Sequence, residues 1–471
     1  MTQRDHVTAE KFTEELRWWS EGSLLRPLRN IGSATVAAAG PWIVAVLALA
    51  LISLTMEPML GIAAVEDMRL TVVYAFCLAP LAASPIGVIA SRRVAACIDC
   101  ETPDLIPGVY LVACAASGFL SLVAALMLSI LLGLNPLGIW VGFVFLTSSA
   151  ALLWTSFAVL GALRDMRFLI RAFSAGMLIS VICILYFAKY SPTTELLIWC
   201  FIAGCLFCVG ITATRILGIG TLGCSAVFPA FEVVWRDLIA NWHLGLGVLL
   251  AITAVWADKW LFWFSPVGAR SDAGFLHYPA YDSVMFLAHL SVIPSLAAMI
   301  LVHEGDLSRA IRRFRSDLEE NACFANVLAA ENAFNNTAWS RMTGIVFIQG
   351  TIAAACILVA PFFTDLLKFS FEQFMNYRVA LIAVFLYTIF HLAAAMLIIC
   401  NQVRIYALLQ GCFLALNLGL SIVFYWLEGV TAYPIFLTSL VMAIVATLAA
   451  YRALGRFGYL TVLGANDSLL H

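Results

Sequence analysis

Charge is scarce in this 471-residue chain. Asp, Glu, Lys and Arg together make up 11% of it, where a soluble globular domain carries about 25%. So few charges cannot cover a water-facing surface, which excludes an ordinary soluble fold. The usual catalytic signatures are missing as well. No GxxxxGK(S/T) phosphate loop occurs, so the chain does not hydrolyse nucleotide by that route, and neither HExxH nor GxSxG is found. The 13 cysteines are odd in number and scattered through apolar stretches, which is no disulfide framework. Two CxxC spacings, Cys97/Cys100 and Cys205/Cys208, have no further His or Cys nearby to complete a metal site. No metal, cofactor or catalytic residue is expected, and a transporter fits better than an enzyme.

What is abundant is apolar sequence, at 63% of residues with a mean hydropathy of +0.97. A helix needs roughly 20 apolar residues to cross the hydrocarbon core. Twelve such windows can be placed, at residues 34–56, 70–90, 108–133, 137–162, 169–189, 195–216, 242–264, 281–302, 343–364, 379–400, 405–427 and 431–452. More than 30 mostly polar residues precede the first window, so it reads as a retained span rather than a cleaved signal. With the N-terminus inside, 20 of the 26 Lys and Arg residues fall on cytoplasmic segments, and both termini are expected in the cytoplasm. Linking stretches on the other side reach only about sixteen residues, too few for an extracytoplasmic catalytic domain.

The fold class expected is an all-α integral membrane protein, with twelve transmembrane helices in two six-helix bundles related by pseudo-twofold symmetry. A cytoplasmic segment with an amphipathic elbow (1–33) leads into the first bundle (34–216). A cytoplasmic linker and second elbow (217–241) leads into the second (242–452), and a cytoplasmic tail (453–471) follows. The second bundle holds the one long cytoplasmic loop, 303–342. There Leu307, Ile311, Phe314 and Leu318 recur at helical spacing, and Arg309, Arg312, Arg313 and Arg315 fill the remaining surface. That helix suits either an anionic leaflet or a cytoplasmic partner docked on its arginines.

An ionisable group inside a span costs about 2.5–3.5 kcal/mol on insertion scales, so each is a functional candidate. In AVWADKWLFWFSP, residues 254–266, Asp258 stands beside Lys259. Trp256, Trp260 and Trp263 share a face with Lys259 among them, where cation–π contact is available. Asp258 points about 100° away, and adjacent residues do not face each other on a helix, so the two need not pair. The next span carries Asp282 and His289 on one face as candidate neighbours for Asp258, with Pro294 expected to kink it. Gly40-Pro41-Trp42 in the first span is expected to bend that helix as a hinge.

Several stretches resemble a known family. These are SLLRPLRNIGSATVAAAGPWIV (23–44), ADKWLFWFSP (257–266), YDSVMFLAHLSVIPSL (281–296) and HEGD (303–306). Together they are similar to the PelG family, inner-membrane transporters of Pel exopolysaccharide systems and a branch of the multidrug/oligosaccharidyl-lipid/polysaccharide flippase superfamily. The resemblance runs essentially the full length. It implies a bacterial inner-membrane carrier that moves an amino-sugar-containing polysaccharide to the periplasm. It also implies work beside a cytoplasmic glycosyltransferase and membrane partners, one of which senses cyclic di-GMP. Carried over by position are Gly40, Pro41, Trp42, Asp258, Lys259, Trp260, Trp263, Tyr281, Asp282 and Pro294. Asp258, Lys259, Trp260, Trp263, Tyr281, Asp282 and His289 are the expected lining of the path. Aromatic faces suit the apolar faces of sugar rings, and carboxylates suit hydroxyls or a free amino group. Two other classes stay open: a cation-coupled small-molecule antiporter of the same superfamily, and a non-transporting scaffold of the synthase.

Overall fold

The computed structural model describes residues 44–220, 224–319 and 323–459. They are helical nearly throughout. In chain order the helices are α1 (Val44–Leu60), α2 (Ile62–Asp99), α3 (Ile106–Leu132), α4 (Leu137–Ala162), α5 (Met166–Phe187), α6 (Thr194–Leu217), α7 (Cys224–Ala240) and α8 (Trp242–Trp263). A small antiparallel hairpin follows, β1 (Ala269–Arg270) paired with β2 (Leu276–His277). Then come α9 (Pro279–Leu290), α10 (Ile293–Val302), α11 (Ser308–Glu319), α12 (Phe324–Leu367), α13 (Phe371–Ile399), α14 (Val403–Leu427) and α15 (Tyr433–Leu454). Among the described residues, 11 helices are long and apolar enough to cross a membrane, with the run Pro279–Leu318, which holds α9 to α11, counted as one. The expected first span is represented by α1 from Val44 onward, and Gly40, Pro41 and Trp42 lie outside the described residues.

Helix boundaries follow local chemistry. Thr193 caps α6, its hydroxyl accepting the Leu196 N–H at 3.2 Å. Ser370 and Gln373 form a reciprocal capping box on α13. Gly133 ends α3 in the left-handed conformation that glycine adopts without steric cost. The helix expected over 281–302 is interrupted at Ser291 and Val292, and Pro294 is the second residue of the resumed α10. Proline lacks an N–H, so the turn ahead of it loses a rung and the helix parts there, as the sequence predicts.

Within the segment 303–342 between the expected spans, a π-helical turn at 303–307 leads into α11, the helix that the spacing of Leu307, Ile311, Phe314 and Leu318 anticipates, and α12 starts at Phe324 and runs unbroken for 44 residues. Good helix formers in NVLAAENAF carry α12 beyond its apolar window.

The chain divides into two compact units. The larger comprises Gly40–Ser283 and Val403–Thr438, thus α1–α8, the hairpin, the start of α9 and α14. In it α2 packs along α4, and α8 packs on both α14 and α2. Its core centres on Tyr74, Phe143, Phe201, Trp263 and Phe275. The amphipathic α7, which the linker pattern anticipates, is pinned to α2 by a two-pronged Arg93–Asp237 pair. It leaves Phe228, Phe231 and Trp235 exposed. The smaller unit comprises Val284–Gln402 and the part of α15 and its tail from Ser439. There α12 packs against α10, α11 and α13.

Candidate functional site

The last two turns of α8 are apolar but for Asp258 and Lys259, and both are buried, at 0% and 7% exposure. They form an ion pair, with Lys259 Nζ 3.4 Å from Asp258 Oδ1. This corrects the expectation that helix geometry keeps them apart. A helical wheel separates the Cβ directions, but the lysine stem has four methylenes. It curls back so that Nζ donates to the Val255 carbonyl at 2.9 Å and meets the carboxylate alongside. The expected cation–π contact is present, with Nζ 5.8 Å from the Trp256 ring centre.

Asp258 finds its second partner one residue before the one anticipated. Tyr281 donates its hydroxyl to Asp258 Oδ2 at 2.6 Å, and its ring lies edge-on to Phe262 at 4.9 Å. Asp282, expected beside Asp258, turns instead to the start of α9. Its Oδ2 accepts the Tyr278 N–H at 3.1 Å and the Trp263 indole N–H at 2.8 Å. An acidic group at a helix N-terminus is favoured by the exposed amides there. Asp282 Oδ1 is buried without a hydrogen-bond partner. His289, the other expected neighbour, lies in the smaller unit, and its Nδ1 is 2.7 Å from the Met285 carbonyl oxygen one turn back.

The three tryptophans do share a face, Trp256 and Trp263 meeting edge-on at 6.2 Å. Trp263 is 2% exposed and packs at 4.8 Å against the Tyr74 ring, tilted by 32°, whereas Trp256 and Trp260 are only partly buried. Both faces of the cluster are therefore closed to a sugar ring at Trp263 in this conformation, and solvent does not reach Asp258.

The hairpin 269–277 is the part of this site that sequence reasoning missed. Two paired residues per strand do not hold a hairpin together in isolation. Contacts from elsewhere in the larger unit fasten it. Asp67 Oδ1 accepts the Ala273 N–H at 3.1 Å, Asn135 donates its N–H to the Ala273 carbonyl at 3.0 Å, and the Tyr74 hydroxyl donates to the Leu276 carbonyl at 2.6 Å. The Arg270 guanidinium donates to the Leu132 carbonyl, and His277 Nε2 lies 3.3 Å from Glu66 Oε1. Phe275 is fully buried between Tyr74 and Phe143. Gly274 makes the turn at φ +103°, a conformation side chains rarely adopt. The sequence signal was the acidic pair Glu66-Asp67 at the head of α2, which reads as an ordinary loop charge until its partner 206 residues away is known.

Away from this cluster, Arg309, Arg312, Arg313 and Arg315 are all exposed along α11 in the smaller unit. Arg309 pairs with Asp306 at 2.6 Å, and Arg312 reaches Ser308 at 2.7 Å.

A family model described as an exopolysaccharide exporter, PelG (EPS-E), matches residues 15–461. No curated protein matches the chain. Solved transporters share the fold at low identity. A MATE structure in a bent conformation superposes with a TM-score of 0.61 at 14% identity, covering 93% of this chain and 97% of its own. The Vibrio cholerae MATE transporter VcmN gives 0.60 at 14% identity, over 94% and 99%. A MOP-superfamily transporter from Pyrococcus furiosus gives 0.53 at 12%, over 90% and 96%. The matching chains establish a multi-pass transporter fold.

Proposed function

Because the chain belongs to the PelG family of exopolysaccharide exporters, we propose that it carries an amino-sugar-containing polysaccharide from cytoplasm to periplasm across a bacterial inner membrane. Both termini are cytoplasmic in this reading. It works beside a cytoplasmic glycosyltransferase and membrane partners that include a cyclic di-GMP receptor. The path runs through Asp258, Lys259, Trp260, Trp263, Tyr281, Asp282 and His289. Gly40, Pro41, Trp42 and Pro294 serve as hinges, and the arginines of α11 face a cytoplasmic partner.

The observation that carries the reading is the buried Asp258 carboxylate already holding an ammonium at 3.4 Å. A protonated amino sugar presents the same group. In an open state its amine takes the place of Lys259 at Asp258, and Asp282, with one oxygen unpartnered, offers a second acceptor. The displaced Lys259 ammonium keeps the Val255 carbonyl and turns to the unpartnered Asp282 oxygen, so that each of the two cations has a carboxylate and no bare charge is created in the membrane. The ring faces of Trp256 and Trp260, only partly buried, are the available stacking surfaces.

The test is secretion by a strain carrying Asp258→Asn, normalised to the amount of this protein in the membrane. Loss of polymer export supports the reading, and undiminished export overturns it. Cation-driven efflux of a small molecule by the purified chain alone in vesicles would instead favour an antiporter.

A further inference from the structure

In the smaller unit a cavity of about 350 Å³ opens between α12 and the end of α15. It is lined by Asn335 and Trp339 from α12, Tyr451, Arg452 and Leu454 from α15, and Gly455 and Arg456 just beyond. Trp339 and Tyr451 meet at 5.9 Å and form its aromatic wall. Arg452 and Arg456 are exposed, and neither has a carboxylate partner among the described residues. Asn335 Oδ1 is buried there without a hydrogen-bond partner.

Its surroundings are basic as well. Phe457 packs on Phe314 of α11 at 5.2 Å and on Phe334 of α12 at 4.2 Å, which ties α11 to the end of α15. The exposed Arg313 and Arg315 thus belong to the same end of the unit. Two acids at this end are engaged: Asp306 holds Arg309 and Arg341, and Glu331 accepts the Gly458 N–H at 2.8 Å.

From this geometry we infer that the cavity binds the phosphodiester headgroup of an anionic lipid, gripped by Arg452 and Arg456. Guanidinium groups match phosphate oxygens in pairs, and basic pockets between transmembrane helices commonly hold such headgroups. A lipid fits better than a soluble anion because the cavity leads onto an apolar track. Ile444, Leu448 and Tyr451 fall on one side of α15 at spacings of four and three, and they are 56%, 55% and 66% exposed. An acyl chain running down that face covers them while its headgroup stays at the arginines. Trp339 and Tyr451 lie at the ends of the apolar stretches of α12 and α15, and amphipathic rings at such ends favour the membrane–water boundary.

The experiment uses the full chain in neutral detergent and reads thermal stability and lipid retention by native mass spectrometry. Phosphatidylglycerol or cardiolipin should stabilise the wild type and co-purify with it, and phosphatidylcholine should not. Equal effects of phosphatidylcholine overturn the assignment. Inorganic phosphate is the third arm: if it alone matches the lipid, the site takes a soluble anion and the lipid assignment falls. Arg452→Gln with Arg456→Gln should weaken anionic-lipid binding about tenfold or more. Arg452→Lys with Arg456→Lys keeps the charge and controls for folding. Unchanged binding by a monodisperse double-Gln variant refutes the inference.

Discussion

The Asp258–Lys259 pair gives the sharpest quantitative test. Two unit charges 3.4 Å apart attract by about 5 kcal/mol at an effective dielectric of about 20. Desolvation of both groups offsets much of this, since Asp258 is fully buried and Lys259 nearly so. The net worth of the pair is therefore small, but removing one member strands the other. In Asp258→Asn the ammonium loses its counter-charge and keeps the Val255 carbonyl at 2.9 Å, the Trp256 ring and a neutral amide oxygen, and in Lys259→Met the carboxylate keeps only the Tyr281 hydroxyl at 2.6 Å. Each single change should cost about 3–5 kcal/mol. The double variant removes both charges and should be more stable than either single, so the coupling energy is several kcal/mol. Unfolding by SDS titration from mixed micelles, followed by tryptophan fluorescence and far-UV circular dichroism, measures all four corners of the cycle. Coupling within about 0.5 kcal/mol of zero would mean that the charges are independent and the ion pair contributes nothing.

Two further predictions concern the frame around the site. Asp237→Asn removes the charge and one of the two acceptors of the two-pronged bond from Arg93, a pair only partly exposed on both sides, and should lower stability by about 1–3 kcal/mol while loosening α7 from α2. Limited proteolysis between α6 and α7 reads the detachment, and an unchanged cleavage rate contradicts it. Combining Asp67→Asn with Tyr74→Phe weakens the hairpin at two of its side-chain anchors on α2, so a thiol introduced by Ser271→Cys should be labelled several-fold faster by a membrane-impermeant maleimide than in the parent. Equal labelling would show that the remaining contacts suffice.

The fold was legible because its signal is additive. Each apolar window reports its own helix, and Pro294 reports its own break, without knowledge of any other segment. The start of α12 was not, because hydropathy marks the part of a helix that meets lipid and says nothing of how far helix-forming polar residues extend it. The candidate site divides the same way. Asp258, Lys259 and Tyr281 stand out as residues, since ionisable and hydroxyl groups in apolar runs are conspicuous. Their pairing did not, for a wheel diagram tracks Cβ directions while the contact is made by the far end of a flexible stem. The hairpin was least visible: every bond that fastens it joins it to α2, α3 or the turn beyond α3, more than a hundred residues earlier.

These contacts also couple the hairpin to the charge pair. Tyr74 holds the Leu276 carbonyl through its hydroxyl and packs its ring, tilted, against Trp263. Trp263 in turn donates to Asp282 at the start of α9, and the neighbouring Tyr281 donates to Asp258. A chain of four direct contacts thus joins hairpin, α2, α8 and the start of α9 within one unit. In the proposed function an amine replaces Lys259 at Asp258, and for it to reach the carboxylate the Tyr281 side chain that covers the other oxygen has to move aside, yet Tyr281 is buried at 3% exposure against Phe262. A rotamer change alone has no room there, because packed interiors do not yield by small continuous shifts. The start of α9 has to move as a body, and Asp282 ties that movement to Trp263. On the proposed function, opening at this site begins with the loss of the Trp263–Asp282 bond rather than with the ion pair. A Trp263→Phe chain keeps the ring packing without the indole donor, so it should exchange Asp258's partner more readily while leaving the Asp258–Lys259 coupling energy unaltered. If that coupling instead falls with Trp263→Phe, the pair and the α9 tether are one element and the proposed order of opening is wrong.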